Sequence, residues 1–177
     1  MTPATPIPAE SATSEPVPRL IGLRTVLAII AAIEFFESLS SVSILFGDMS
    51  EIPGPGLGGG LIKAHIAAHP VLAAAAMVFA AMGRVRHAII ALGAIIIMTW
   101  LSDMPSVVLH GLGLKGAFSI VETTAKIIVF PLIAACAIAY AAHNEHLGRA
   151  TLMAAIPTLF NIVMVVGFAV GVMIYGF

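Results

Sequence analysis

Four apolar stretches of this chain carry ionisable side chains at helical spacing, and any chemistry would have to happen there. Glu34, Glu37 and Ser41 recur at i, i+3 and i+7, which places them on one face of a helix. In "LIKAHIAAHP", Leu61–Pro70, His65 and His69 stand at i, i+4, with Lys63 just before them. Trp100 and Asp103 are at i, i+3, and Glu122 and Lys126 at i, i+4 in the orientation that favours an ion pair.

Several chemistries suit such a set. Two imidazoles on one helix face, His65 and His69, could be completed by carboxylates of other helices into a zinc, iron or copper site. A di-iron bundle would need Glu-x-x-His, and no Glu precedes either histidine at that spacing. Haem needs ligands on opposite sides of one iron; His65 and His69 share a face, whereas His69 with His110 would serve. A carboxylate, a histidine and a tryptophan in a dry pocket suit proton-coupled redox or isomerase chemistry on a quinone or other lipid-soluble molecule. Buried carboxylates and histidines are equally the relays of proton- or ion-coupled transport, for which five helices would need to oligomerise. A non-catalytic role in stabilising a larger membrane complex is the third reading. The candidates are Glu34, Glu37, Asp103 and Glu122 for proton handling or substrate binding, and Lys63, His65, His69, Trp100 and Lys126 for binding. Quinone, or a metal at His65 and His69, are the cofactors left open.

Plainer roles compete at several of these positions. Glu122 and Lys126 can form a self-neutralising pair that lowers insertion cost, and Lys63 can snorkel to headgroups. Trp100 can be a packing residue, His87 and His110 interfacial, and His143 and His146 solvated in a turn. Glu34 is the hardest to dismiss, because its own helix offers no basic residue within a turn or two.

The elements that must position these residues follow from composition. Hydrophobic residues make up 60% of the chain and charged ones only 10%, with a mean hydropathy of +1.08. A soluble domain carries about a quarter charged residues. Crossing the bilayer takes about 20 apolar residues of helix. Five segments qualify: Leu20–Phe46, Leu61–Met82, His87–His110, Gly116–Ala142 and Arg149–Tyr175. Short breaks separate them, the longest being the Pro- and Gly-rich "GDMSEIPGPGLGGG". The expected fold is therefore all-α, a polytopic membrane bundle of five transmembrane helices filling residues 19–177 as one domain. Residues 1–18, rich in Pro, Ser and Thr with no basic residue, read as a disordered cytoplasmic tail rather than a signal peptide.

Lys and Arg concentrate on the cytoplasmic side of membrane proteins. Arg19, Arg24, Arg84, Arg86 and Arg149 mark one side, whereas the first break is acidic at Asp48 and Glu51 and the third holds only Lys115. The N-terminus is thus expected inside a bacterial inner membrane and the C-terminus outside. At a rise of 1.5 Å per residue, His65 and His69 lie about 6 and 12 Å in from the outer end of their helix, and Glu122 and Lys126 about 9 and 15 Å in from theirs. Glu34 comes out near mid-membrane. All six carboxylate and histidine candidates (Glu34, Glu37, His65, His69, Asp103 and Glu122) then fall in the outer half, which predicts one polar pocket opening outward.

Partners follow from the same features. The lipid bilayer is the first, and other membrane subunits or a homo-oligomer are the next. Gly167 and Gly171 are a small-xxx-small pair that could serve a helix interface. Nothing basic enough for nucleic acid is present, and no nucleotide loop, nucleophile elbow or metalloprotease helix appears. The lone Cys136 excludes an internal disulfide. "HPVLAAAA" and "FPLIAACA" echo each other, as two duplicated hairpins followed by one further helix would.

The stretch "LRTVLAIIAAIEFFES", a Gly/Pro-rich loop, and then "AAMGRVRHAIIALGAIIIMTW" is similar to the DoxX-like membrane proteins. These are small helical bundles, some linked to quinone or thiol redox systems, so the resemblance implies a redox-associated membrane subunit. The chain departs from them in its fifth helix, and in Glu34 and Glu37 where that family tends to small residues and a Lys.

The charge asymmetry sets a test of topology. A reporter active only in the cytoplasm should be silent when fused after Phe177, and active when fused in the "GRVR" turn. Activity after Phe177 would reverse the assignment.

Overall fold

The computed structural model describes residues 17–46, 57–112, 114 and 117–176. The described residues form helices α1 (Val17–Phe46), α2 (Leu57–Ala81), α3 (Val85–His110), α4 (Ala117–Thr124), α5 (Phe130–Ala142) and α6 (Leu147–Tyr175). A π-helical turn, Ala125–Val129, joins α4 to α5 into one continuous rod. The expected segments match these elements to within a few residues, and α1 takes in Val17 and Pro18, which composition assigns to the tail. Residues 1–16, the acidic break with Asp48 and Glu51, and Lys115 lie outside the described residues.

Four of the helical rods are long and apolar enough to cross a membrane: Leu57–Ala81, Val85–His110, Ser119–Ala142 and Leu147–Ile174. These are the dimensions of a multi-pass membrane protein. The outward faces agree, since large apolar side chains such as Val71, Leu132, Val163 and Phe168 are exposed. Helix α1 differs in carrying Arg24, Glu34 and Glu37, and it contributes much of the polar interior.

Packing runs in a ring, α1 on α2, α2 on α3, α3 on α5, α5 on α6 and α6 back on α1, with α3 also touching α1 and α6. Helix α3 is thus the central strut. Sequence-local chemistry makes the reversals. Gly83 has φ +77°, and the amides of Gly83 and Arg84 bond back to the carbonyls of Ala80 and Phe79 at 3.0 and 2.8 Å. This double closure ends α2 and requires the left-handed backbone that glycine tolerates. Asn144 (φ 57°) closes α5 in the same way, with Asn144 bonding to Ala141 and Glu145 to Tyr140. Arg24 reaches across from α1 to the end of α2, donating to the carbonyls of Ala80 at 3.2 Å and Ala81 at 2.6 Å. A cation there meets carbonyls at the end of α2, that of Ala80 shared with the Gly83 amide, and the negative end of the helix dipole.

The apolar core fills this same end of the bundle. Leu27, Ile30 and Ala31 meet Ala73, Ala76 and Ala80 of α2, Ile89 and Leu92 of α3, and Ala141, Ala150 and Ala154 of α5 and α6. Small side chains let the helix backbones approach closely, which is how helices associate when lipid removes the hydrophobic incentive. At Gly93 the approach is closest: an added Cβ would fall 2.6 Å from Cγ1 and 2.9 Å from Cδ1 of Ile138.

Gly93→Ala should therefore cost about 1–3 kcal/mol through overpacking, read as a lowered unfolding temperature in detergent. In an Ile138→Ala background the same change should cost much less. Equal costs in both backgrounds would show that Ile138 is not the obstacle.

Candidate functional site

At the opposite end, where α1 and α3 finish, the helices enclose a polar cavity of about 450 Å³. Glu34, Glu37, Ser38 and Ser41 reach it from one face of α1, and His65 and His69 from α2. Helix α3 supplies Thr99, Trp100 and Asp103 over a base of Ile95 and Ile96, the π turn supplies Lys126, and α6 supplies Pro157 and Asn161.

Glu34 is the centre of the arrangement. It is only 9% exposed, and both carboxylate oxygens are engaged by different helices. Oε2 shares a 2.9 Å hydrogen bond with His69 Nε2, and Oε1 accepts one of 2.6 Å from the hydroxyl of Thr158. Three helices are thus tied by one side chain. The His69 ring lies 5.1 Å, centroid to centroid, from that of His65. His65 Nδ1 is buried, with no hydrogen-bond partner. A buried nitrogen without a partner is costly unless something in the cavity meets it.

Trp100 is placed by a backbone defect. In a regular helix the carbonyl of Ile127 would accept from residue 131, but Pro131 has no N–H. The indole Nε1 of Trp100 donates to that carbonyl instead, at 2.9 Å. Trp100 therefore offers the cavity its ring, while its N–H is committed. The π turn here also closes with the Phe130 amide bonding to the Ala125 carbonyl, a ladder shift of the kind seen at functional sites.

The cavity brings together seven of the nine expected site residues: Glu34, Glu37, His65, His69, Trp100, Asp103 and Lys126. Glu122 is not among its lining residues. It pairs with Lys126 at 2.6 Å and lines a second, adjoining pocket together with Glu37, Lys126 and Asn161. Lys63 is exposed and lines neither pocket, as a snorkelling lysine would be. For the metal reading, no group of three or more His, Cys, Asp or Glu side chains able to hold an ion occurs among the described residues. Glu34, the carboxylate against His69, accepts from both His69 and Thr158.

Sequence reasoning missed the contribution of α6. Thr158, 2% exposed, and Asn161 are neutral residues in a strongly apolar helix and carry none of the charge that marks the positions on the other four. Their i, i+3 spacing beside Pro157 was the available signal. No family model matches the chain, and no curated protein or solved structure matches it either.

Removing one partner from the Glu34 cluster leaves a buried acceptor short of a bond. His69→Ala should cost about 1–3 kcal/mol of stability in detergent, and Thr158→Val a comparable amount. Their combination should deviate from additivity because both act on one carboxylate. Strict additivity would show that Glu34 does not link the two helices.

Proposed function

We propose that this chain is a five-helix protein of a bacterial inner membrane, with its N-terminus cytoplasmic, its C-terminus outside and its polar cavity in the outer half of the bilayer. In this reading α1 is the first of five spans, and two of its charged residues are met within the protein, Arg24 by helix-end carbonyls and Glu34 by His69 and Thr158. The cavity binds a lipid-soluble molecule of the quinone class, and Glu34 with His69 is the pair that exchanges protons with it. The protein would serve as a redox-associated subunit whose membrane partner supplies the electrons. The resemblance of its first half to the DoxX-like proteins points the same way.

One observation carries this reading: a buried carboxylate, hydrogen-bonded to a histidine, forms the wall of a polar cavity inside an apolar bundle. Taking a quinone to a quinol moves protons and electrons together, and a dry carboxylate–histidine pair is suited to the proton half. The hydrogen bond between them survives with the proton on either side, so the pair can accept or release one without losing its contact. Glu37 and Asp103 extend the set toward the open end, and His65 Nδ1 is free to bind a carbonyl or hydroxyl oxygen. The ring of Trp100 is a flat apolar surface against which an aromatic head can stack. Transport through a single chain is less well supported, because Ala- and Leu-rich packing closes the other end of the bundle.

Trp100 is the only tryptophan in the chain, so its fluorescence reports on the cavity directly. A short-tailed quinone added to purified protein should quench it saturably, and the binding should vary with pH. Glu34→Gln keeps the side-chain volume but cannot carry a proton. It should leave the unfolding temperature nearly unchanged while flattening that pH profile. Absence of saturable quenching in the wild-type protein would sink the quinone reading. An absorption spectrum and elemental analysis of the same sample would then decide between haem, metal and neither.

A further inference from the structure

A second pocket is joined to the cavity. It measures about 420 Å³ and shares Glu37, Lys126 and Asn161 with the first. Its other wall is apolar and comes from α6: Met164, Val165 and Phe168. Val165 and Phe168 are 63% and 71% exposed, on the outside of the bundle. In a bilayer such side chains face acyl chains. The pocket is therefore a side opening that runs from hydrocarbon, along about 10 Å of α6, to the polar cavity.

Charge restricts what could use it. Glu34, Glu37 and Asp103 face the cavity against one cation, Lys126, whose ammonium is already paired with Glu122 at 2.6 Å. An anionic head would find no spare positive charge among the described lining residues. A neutral head bearing oxygen atoms would find the Asn161 amide at the neck and His65 beyond it.

We propose that this pocket is a lateral entry from the bilayer for an amphiphile with a neutral, oxygen-bearing head and an apolar tail. The head passes Glu37, Lys126 and Asn161 into the cavity, and the tail stays outside on Met164, Val165 and Phe168. The inference rests on the quinone-class reading for the head and adds to it the tail and the route.

The test uses the full chain in phosphatidylcholine vesicles with Trp100 fluorescence as readout. The probes are a tail-less benzoquinone and the same ring with a decyl tail. Phe168→Ala removes a tail contact and Val165→Phe narrows the opening; either serves if the other fails to fold. Partition into the vesicle is common to wild type and variant, so their ratio reports the opening alone. Each variant should weaken quenching by the tailed quinone about tenfold, the scale of one lost aromatic or aliphatic contact, and leave the tail-less quinone unchanged. Equal effects on both probes, or none on either, would overturn the lateral entry. If neither quinone quenches the wild type, the quinone class fails while the route is still decided by a brominated decanol in the same vesicles. Quenching by it that weakens several-fold in the variants keeps the lateral entry with another neutral head, and unchanged or absent quenching overturns it.

Discussion

A carboxylate in the middle of an apolar bundle has to be met on both oxygens, and that requirement organises this protein. Glu34 can be satisfied only if α2 presents His69 and α6 presents Thr158 at the same height. Each contact fixes the rotation and the axial position of its helix relative to α1. A shift by one residue would turn either partner by about 100° around its axis and leave the carboxylate bare. Arg24 adds the second fixed point, holding the end of α2 through two backbone carbonyls. Helices α1 and α2 are therefore pinned twice by polar contacts, and the apolar packing between them has one register available.

That register produces two unlike ends. Around Arg24, alanines at positions 73, 76, 80, 141, 150 and 154 let the helices come close and shut out solvent and ligand alike. Toward the other end the facing residues become Glu37, Ser41, His65, Trp100 and Asp103, which are larger or polar and hold the helices apart around the cavity. Tight packing at one end stiffens the walls of the open end. A site built on rods clamped in this way keeps its groups in place without a ligand.

Much of this was legible in the residues. Helical segments were readable because apolar runs and Gly/Pro breaks are strong local signals, and the i, i+3 and i, i+4 stripes placed Glu34, His69 and Asp103 on inward faces. Cost did the rest: charges that cannot face lipid must face each other. What could not be read was partner choice. Depth makes Glu122 a candidate wall of the cavity and spacing makes it a partner of Lys126; the sequence leaves both open, and in the structure the pair forms beside the adjoining pocket. Thr158 was invisible because a threonine in an apolar helix commonly bonds to its own backbone, as Thr25 and Thr99 do here. Only the position of α6 across from α1 makes Thr158 a donor to Glu34.

The π turn shows how a local defect serves the same end. Pro131 removes the amide that Ile127 would have used, and a bare carbonyl within an apolar bundle is costly. Trp100 supplies the missing donor from α3, so the central helix is bonded to the α4–α5 rod at the level of the cavity. The widened turn that precedes Pro131 carries Lys126, whose ammonium borders both pockets while it pairs with Glu122. The free carbonyl and the cross-helix bond that meets it follow from a single proline. One wall of the polar cavity is thus held by a backbone carbonyl that its own helix leaves without an i+4 amide.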